Sequence, residues 1–336
     1  MPAEEPSVVL RRLIDGHKVT QAIRVAVELG LPDRIAAGMR DPAELAAAGG
    51  AHPPSLRRLL RALVAIGVVS QDDAGLVSLT PVGEGLRSDA AEPLAGWARF
   101  CGSEDMMRTW GELLHSVRTG ESAHWRLHGM DAWEYRATHP ASAALFDAAM
   151  TDLTRRTNRS VLEAYDFARF GTVVDVGGGR GALLTALLAA HPHQHGVLFD
   201  LPHVVADAAP AQDGRLRVVG GSFFEGVPSG GDAYLLRAIL HDWPDDDCVR
   251  ILDACRAAMG QEATLLIIEH DLADDLQEVA LSDLNMLVGP GGRERTQAEY
   301  ASLLARAGLH LTAACPTGSV LHVFEATAAS AGTTRR

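Results

Sequence analysis

The sequence has almost no lysine. Lys18 is the only one, and arginine supplies the rest of the 30 basic residues. A phosphate-binding P-loop needs a Gly-Lys pair, and pyridoxal phosphate needs a Schiff-base lysine. Lys18 lies in GHKVTQ, away from any glycine-rich loop, so neither class is expected. Cysteine is sparse as well. Cys101, Cys248, Cys255 and Cys315 form no CxxC pair and no metal-ligand spacing, and read as reduced thiols of a cytoplasmic protein. No uninterrupted apolar run reaches the roughly 18 residues of a membrane span. The start, MPAEEPSVVLRR, is acidic before it is apolar and does not read as a secretory signal. Positive charge is also in deficit: the net charge of −13 argues against nucleic acid or an anionic membrane as partner.

The 336 residues are enough for two domains. Residues 1–90 read as helices followed by a hairpin. VTQAIRVAVELGLPDRIAAG carries apolar residues at helical spacing and breaks at Gly30-Leu31-Pro32. Asp41 is placed to cap DPAELAAA, with Glu44 at capping-box spacing. PPSLRRLLRALVAIG is a second amphipathic helix, and VVSQDDAGLVSLT alternates around a turn at Asp73-Ala74-Gly75. This is the outline of a winged helix. Ten basic against eleven acidic residues make it a poor DNA reader, despite Arg57, Arg58 and Arg61, and favour packing against a partner subunit.

Residues 91–160 are helical and rich in large side chains: Trp97, Phe100, Met106, Met107, Trp110, Trp125, Trp133, Phe146 and Met150. They read either as core or as the wall of a pocket for a flat aromatic ligand. From 161 to 328 strands and helices alternate. TVVDV, HGVLFD, LRVVGGSFF, AYLLRAIL, ATLLIIE, HLTAAC and SVLHVFEA are seven candidate strands, the signature of a doubly wound, Rossmann-like and mostly parallel α/β sheet. The tail, 329–336, reads as disordered.

The first of these strands runs into a glycine turn, VVDVGGGRG at 173–181. Read as GxGxxA over Gly177, Gly179 and Ala182, it satisfies the dinucleotide fingerprint, and Asp200 is spaced to hold ribose hydroxyls. Three details favour S-adenosylmethionine instead. Asp175 precedes the glycines where a dehydrogenase strand more often carries an apolar residue. GGSFFEGVP offers Ser222 and Phe223, a polar group and a flat apolar surface suited to adenine. The glycine turn also opens the second half of the chain.

The chemistry is expected at strand ends, because ligands of open α/β sheets sit outside the strands' carboxyl ends. AILHDWPDDD brings His241 there, LLIIEH brings Glu269, and the loop GPGGRERT carries Glu294. Methyl transfer from a sulfonium has a good leaving group already, so the difficulty lies with the nucleophile. A phenol, of pKa about 10, is protonated at neutral pH. Histidine can accept that proton, and a carboxylate beside it fixes the tautomer. His241 is therefore read as base, with Glu269 and Glu294 as orienters. Asp245, Asp246 and Asp247 read as helix-dipole partners rather than a metal site, and no metal is expected.

Taken in order, VDVGGGRG, FDLP, GSFF, LLRAILHDW, LLIIE, DLNML and GGRERT resemble the S-adenosylmethionine-dependent O-methyltransferases related to plant caffeic acid O-methyltransferase. The likeness is closer to bacterial natural-product members of the naphthoate and anthracycline type. It implies a class I methyltransferase fold with an N-terminal winged-helix dimerisation domain, hence a homodimer. It implies cofactor contacts from Asp175, Gly177, Gly179, Asp200, Leu201, Ser222, Phe223, Phe224, Arg237 and Trp243, and agrees with His241, Glu269 and Glu294 as the catalytic set. It implies substrate contacts from Phe100, Cys101, Met107, Phe146, Met150, Asn285 and Met286; Trp110 joins them from the aromatic pattern. Plant members typically carry aspartate at Ser222 and lysine at Arg237.

The expected reaction is methylation of a hydroxyl on a small aromatic natural product. The alternatives are the same fold turned to hydroxylation, decarboxylation or cyclisation, and a metabolite-sensing winged-helix regulator.

Overall fold

A computed structural model describes residues 5–206, 214–274 and 276–329. The expected tail, apart from Ala329, lies outside the described residues. The chain divides into two compact units, Met1–Met107 with Ala144–Arg156, and Arg108–Ala143 with Thr157–Arg336.

The first unit is helical. The helix Gly16–Glu28 ends before Gly30, whose φ of 62° turns the chain into Leu31–Ala36. Asp41 accepts the N–H groups of Ala43 and Glu44, starting Pro42–Ala48. The helix Pro53–Ala65 buries Leu56, Leu60 and Leu63 along one face and leaves Arg57, Arg58 and Arg61 exposed. The hairpin that follows pairs β1 (Val69–Gln71) with β2 (Val77–Leu79). The helix Ala95–Cys101 packs within the same unit, where Gly96 donates its N–H to Asp152. Phe100 meets Phe146 edge to face at 5.7 Å. By contrast, the helix Pro6–Ile14 buries no residue; its Val8, Leu10, Leu13 and Ile14 are all exposed.

The second unit is built on one seven-stranded sheet. Its strands are β3 (Thr172–Val176), β4 (His195–Asp200), β5 (Leu216–Gly220), β6 (Ala233–Arg237), β7 (Thr264–Glu269), β8 (Leu309–Pro316) and β9 (His322–Ala328). The order across the sheet is β5-β4-β3-β6-β7-β9-β8. The first five run parallel; β9 lies antiparallel between β7 and β8. Alternate residues feed the two faces. Val174, Tyr234 and Leu265 enter one core, and Val173, Leu235 and Leu266 the other. A dinucleotide-binding sheet in the order 3-2-1-4-5-6 has no strand inserted in this way, so the topology separates this chain from the dehydrogenase reading of its glycines.

Two expected strands are shorter than their apolar runs. LRVVGGSFF pairs only as far as Gly220, and AYLLRAIL only as far as Arg237. Ala238 takes φ 50°, the only positive φ at a non-glycine among the described residues, and ends the ladder. The strand order reverses at β3 and β6, which opens a crevice at their carboxyl ends. Among the described residues, no helix is long and apolar enough to cross a membrane.

Candidate active site

His241 owes its position to a backbone turn rather than to a strand end. After β6, Ala238 donates its N–H to Ile268 of β7. Its left-handed backbone then swings the N–H groups of Ile239 and Leu240 onto Glu269 Oε1, at 2.9 and 2.8 Å. A 3-10 turn, Leu240–Asp242, follows and carries His241. This turn is clamped from behind by Arg295, whose side chain is fully buried. The guanidinium donates to the carbonyls of Leu240 and Trp243, both at 2.8 Å, and to Asp245 at 2.7 Å. Gly292 packs directly on the same turn. A Cβ there would lie 2.5 Å from the Asp242 carbonyl carbon and 2.7 Å from the Trp243 nitrogen.

The three residues read as catalytic do converge. Nδ1 of His241 is 3.0 Å from Glu294 Oε1 and 3.5 Å from Glu269 Oε2. Glu294 also accepts from His270 Nδ1 at 2.9 Å and from the Ser282 hydroxyl at 2.7 Å. Its backbone N–H donates to Asp283 at 2.9 Å. With Nδ1–H aimed at a carboxylate, the neutral imidazole keeps its lone pair on Nε2. Asp242 Oδ1 lies 3.7 Å from that nitrogen.

Electrostatics follow from burial against charge. Burial disfavours an imidazolium at His241, yet Glu269, Glu294 and Asp242 outweigh it and raise its pKa well above the usual 6.5. Burial would raise Glu294, but the two histidines hold it well below the usual carboxylate range. Glu269 is raised by burial, against the pull of His241. Burial pushes Asp242 up to about 6. Of the two carboxylates facing His241, Glu294 is therefore the more acidic and Glu269 the less.

Around the glycine turn, Gly177 and Gly179 have φ of 72° and 59°. A Cβ on Gly177 would strike Ile239 and lie 3.7 Å from the ring of Phe223, whereas Gly179 faces open space. Gly179 and Leu201 donate their N–H groups to opposite oxygens of Asp200, at 2.8 and 2.6 Å. Asp175 is buried beneath the turn, where burial lifts its carboxyl to about 7. Ser222 accepts the N–H of Phe224, and Trp243 meets Phe223 and Phe224 edge to face at 5.9 and 4.9 Å. Arg237 donates to Asn158 at 2.8 Å and to Thr157. Burial lowers its pKa to about 10, against the pull of Asp175 and Glu269.

The residues read as substrate contacts fall in both units. Trp110 donates its indole N–H to Asn285 at 3.2 Å, and Met286 is buried on the same helix, Gln277–Val288. Phe100, Cys101, Met107, Phe146 and Met150 belong to the first unit. Burial pushes the Cys101 thiol up to about 12, which disfavours its thiolate. His270, Ser282, Asp283, Arg295, Thr157 and Asn158 were not legible as site residues. Only His270 and Arg295 carried a signal, as sequence neighbours of Glu269 and Glu294.

The residues present fit S-adenosylmethionine. Asp200, fixed by the backbone N–H groups of Gly179 and Leu201, stands at the end of β4 where a ribose would lie. Gly179 leaves room for close approach, and the Phe223 ring offers a flat apolar face. The sheet order and this crevice define a methyltransferase of the S-adenosylmethionine-binding class.

Comparison with known proteins specifies the family. The O-methyltransferase domain matches residues 110–310, and the O-methyltransferase dimerisation domain matches residues 11–89. The chain is 39% identical to a phenazine O-methyltransferase of Lysobacter antibioticus, over 95% of this chain and 96% of that one. It is 41% identical to a 2,7-dihydroxy-5-methyl-1-naphthoate 7-O-methyltransferase of Streptomyces carzinostaticus, over 95% and 97%. A crystal structure of an O-methyltransferase from neocarzinostatin biosynthesis, in complex with S-adenosyl-L-homocysteine and 1,4-dihydroxy-2-naphthoic acid, superposes with a TM-score of 0.76 at 40% identity. That match covers 92% of this chain and 96% of the other. The chain belongs to the O-methyltransferase family and is an S-adenosylmethionine-dependent enzyme.

Proposed function

We propose that the enzyme methylates a hydroxyl of a small aromatic natural product, with Nε2 of His241 as general base. The observation that carries this reading is the Nδ1 contact of His241 with Glu294, which leaves Nε2 as the acceptor. Gly177, Gly179, Asp200, Leu201, Ser222, Phe223, Arg237 and Trp243 would hold the cofactor, over the buried Asp175 and beside Phe224. S-adenosylmethionine, when bound, supplies an electrophilic methyl group on a sulfonium.

His241 takes the hydroxyl proton as the oxygen becomes nucleophilic. A phenol of pKa about 10 and an ordinary histidine differ by about 3.5 pKa units, and each unit costs about 1.4 kcal/mol in proton transfer. The carboxylates of Glu269, Glu294 and Asp242 raise the pKa of His241 and narrow that gap. Glu294 keeps the ring oriented, and Glu269 fixes the turn that presents it. Within the unit that carries His241, Trp110 and Met286, with Asn285, would select a flat ring.

The dimerisation domain and the exposed apolar face of Pro6–Ile14 support a homodimer. The four free cysteines and the negative net charge support a cytoplasmic enzyme with no nucleic-acid or membrane partner. The test is calorimetric titration with S-adenosylhomocysteine and, separately, NADH, followed by a hydroxyaromatic panel assayed by mass. Binding of the homocysteine product alone and a 14-dalton gain on oxygen (about the mass of CH2, the unit of apolar transfer scales) are expected. Binding of NADH, or no methylated product from any hydroxyaromatic, would contradict the reading.

A further inference from the structure

The four cysteines offer no metal-ligand spacing, but folding assembles a candidate ligand set of other residues at the Nδ1 edge of the His241 ring. One ring nitrogen of His241, one of His270 and a carboxylate oxygen of Glu294 all lie within 4.8 Å of one another, and Nδ1 of each ring faces Glu294 Oε1. We infer that these three groups form a binding site for one divalent transition-metal ion of the zinc type, and that an ion held there shuts off methyl transfer.

The ligand chemistry fits. Two imidazoles with a carboxylate are a common set for zinc, copper or nickel, and unlike an all-oxygen set they disfavour magnesium and calcium. Bonds of about 2.0–2.2 Å in a tetrahedral arrangement separate ligand atoms by about 3.3 Å. The two nitrogens stand 3.0 and 2.9 Å from Glu294 Oε1, a few tenths of an ångström under that spacing, and the two rings come within 4.8 Å of each other at their ligand atoms. Independent support comes from two carboxylate oxygens. Oε2 of Glu294 and Oε2 of Glu269 are buried without a hydrogen-bond partner among the described residues, and the latter is 3.5 Å from His241 Nδ1. Two buried carboxylates would offset the dication. Ser282 already donates to Glu294, as the outer partner of a ligand does.

Binding balances simply. Each ring coordinates through Nδ1 as neutral imidazole, with its proton on Nε2, and any imidazolium proton leaves to solvent. A His241 held in this form presents an N–H where the reaction needs a lone pair. The shut-off thus rests on His241 being the base, whereas the binding does not.

The test is competition between the chelator-treated enzyme and a fluorescent zinc chelator, alongside the methyl-transfer rate. The wild type is expected to take up one tightly bound Zn2+ per chain and to lose transfer, recovering when chelator is added. His270→Gln and Glu294→Gln are expected to weaken binding by more than the roughly 10- to 100-fold that loss of an outer partner costs. His17→Gln, at an exposed helix, should change nothing. Unaltered S-adenosylhomocysteine affinity verifies that each variant is folded. Zinc affinity that survives both His270→Gln and Glu294→Gln, or no tight binding in the wild type, overturns the site. Binding that depends on His270 but leaves transfer intact overturns the shut-off and, with it, the base reading of His241.

Discussion

At the scale of single residues, the site is a histidine whose basicity is set by the carboxylates around it. Because those anions raise the pKa of His241, the neutral ring gains population only as pH rises past the usual histidine value. The metal-free enzyme is therefore expected to show kcat/KM rising with pH, with its acid limb above 6.5. Removing an anion lowers a neighbouring histidine's pKa. Glu294→Gln should move that limb to lower pH and cut kcat roughly a hundredfold, within the range of general-base effects. A limb that stays in place would mean that the profile reports another group. His241 and Glu269 were legible because each follows an apolar run at a strand's carboxyl end, and Glu294 because it sits in a glycine-rich loop. Their partners were not. Ser282 and Asp283 lie on a helix that looks merely amphipathic, and Thr157 and Asn158 reach Arg237 from about 80 residues away.

The supporting elements owe their form to one strained alanine, one glycine and one buried arginine. An apolar run alone gives no sign of where a strand stops, and AYLLRAIL reads as strand to its end. The observed stop at Arg237 depends on Glu269 collecting the N–H groups of Ile239 and Leu240, a contact from another strand. Arg295 holds the next turn from outside. Replacing it with alanine orphans two carbonyls, at about 1–3 kcal/mol each, so Arg295→Ala should destabilise the protein by about 3 kcal/mol or more. Denaturant titration measures this; a loss under about 1 kcal/mol would mean that the turn holds without its clamp. Gly292→Ala acts on the same turn. Its methyl would press on the backbone of His241 to Trp243, and methyl transfer should fall at least about tenfold with the fold retained. Circular dichroism and rate together check that outcome, and an unchanged rate would show that the loop yields easily.

For the whole molecule, alternation of strands with helices made the doubly wound sheet legible, because buried parallel strands are apolar throughout. The insertion of β9 was not: a strand's sheet position depends on long-range pairing that its own residues do not encode. Residues 1–90 are near neutral in charge, and the helix Pro6–Ile14 exposes Val8, Leu10, Leu13 and Ile14. Sedimentation velocity should find a dimer, and the double variant Leu13→Glu with Ile14→Glu should shift it toward monomer. A dimer that persists unchanged would place the interface elsewhere. The most direct test of the account is the single-turnover rate of His241→Gln, measured with the S-adenosylhomocysteine affinity of the same protein. The prediction is a fall of about 10²–10⁴ in methyl transfer, with affinity unchanged within about twofold, the cofactor residues being elsewhere in the crevice. Transfer at the wild-type rate with that affinity retained would contradict the assignment of His241 as the base.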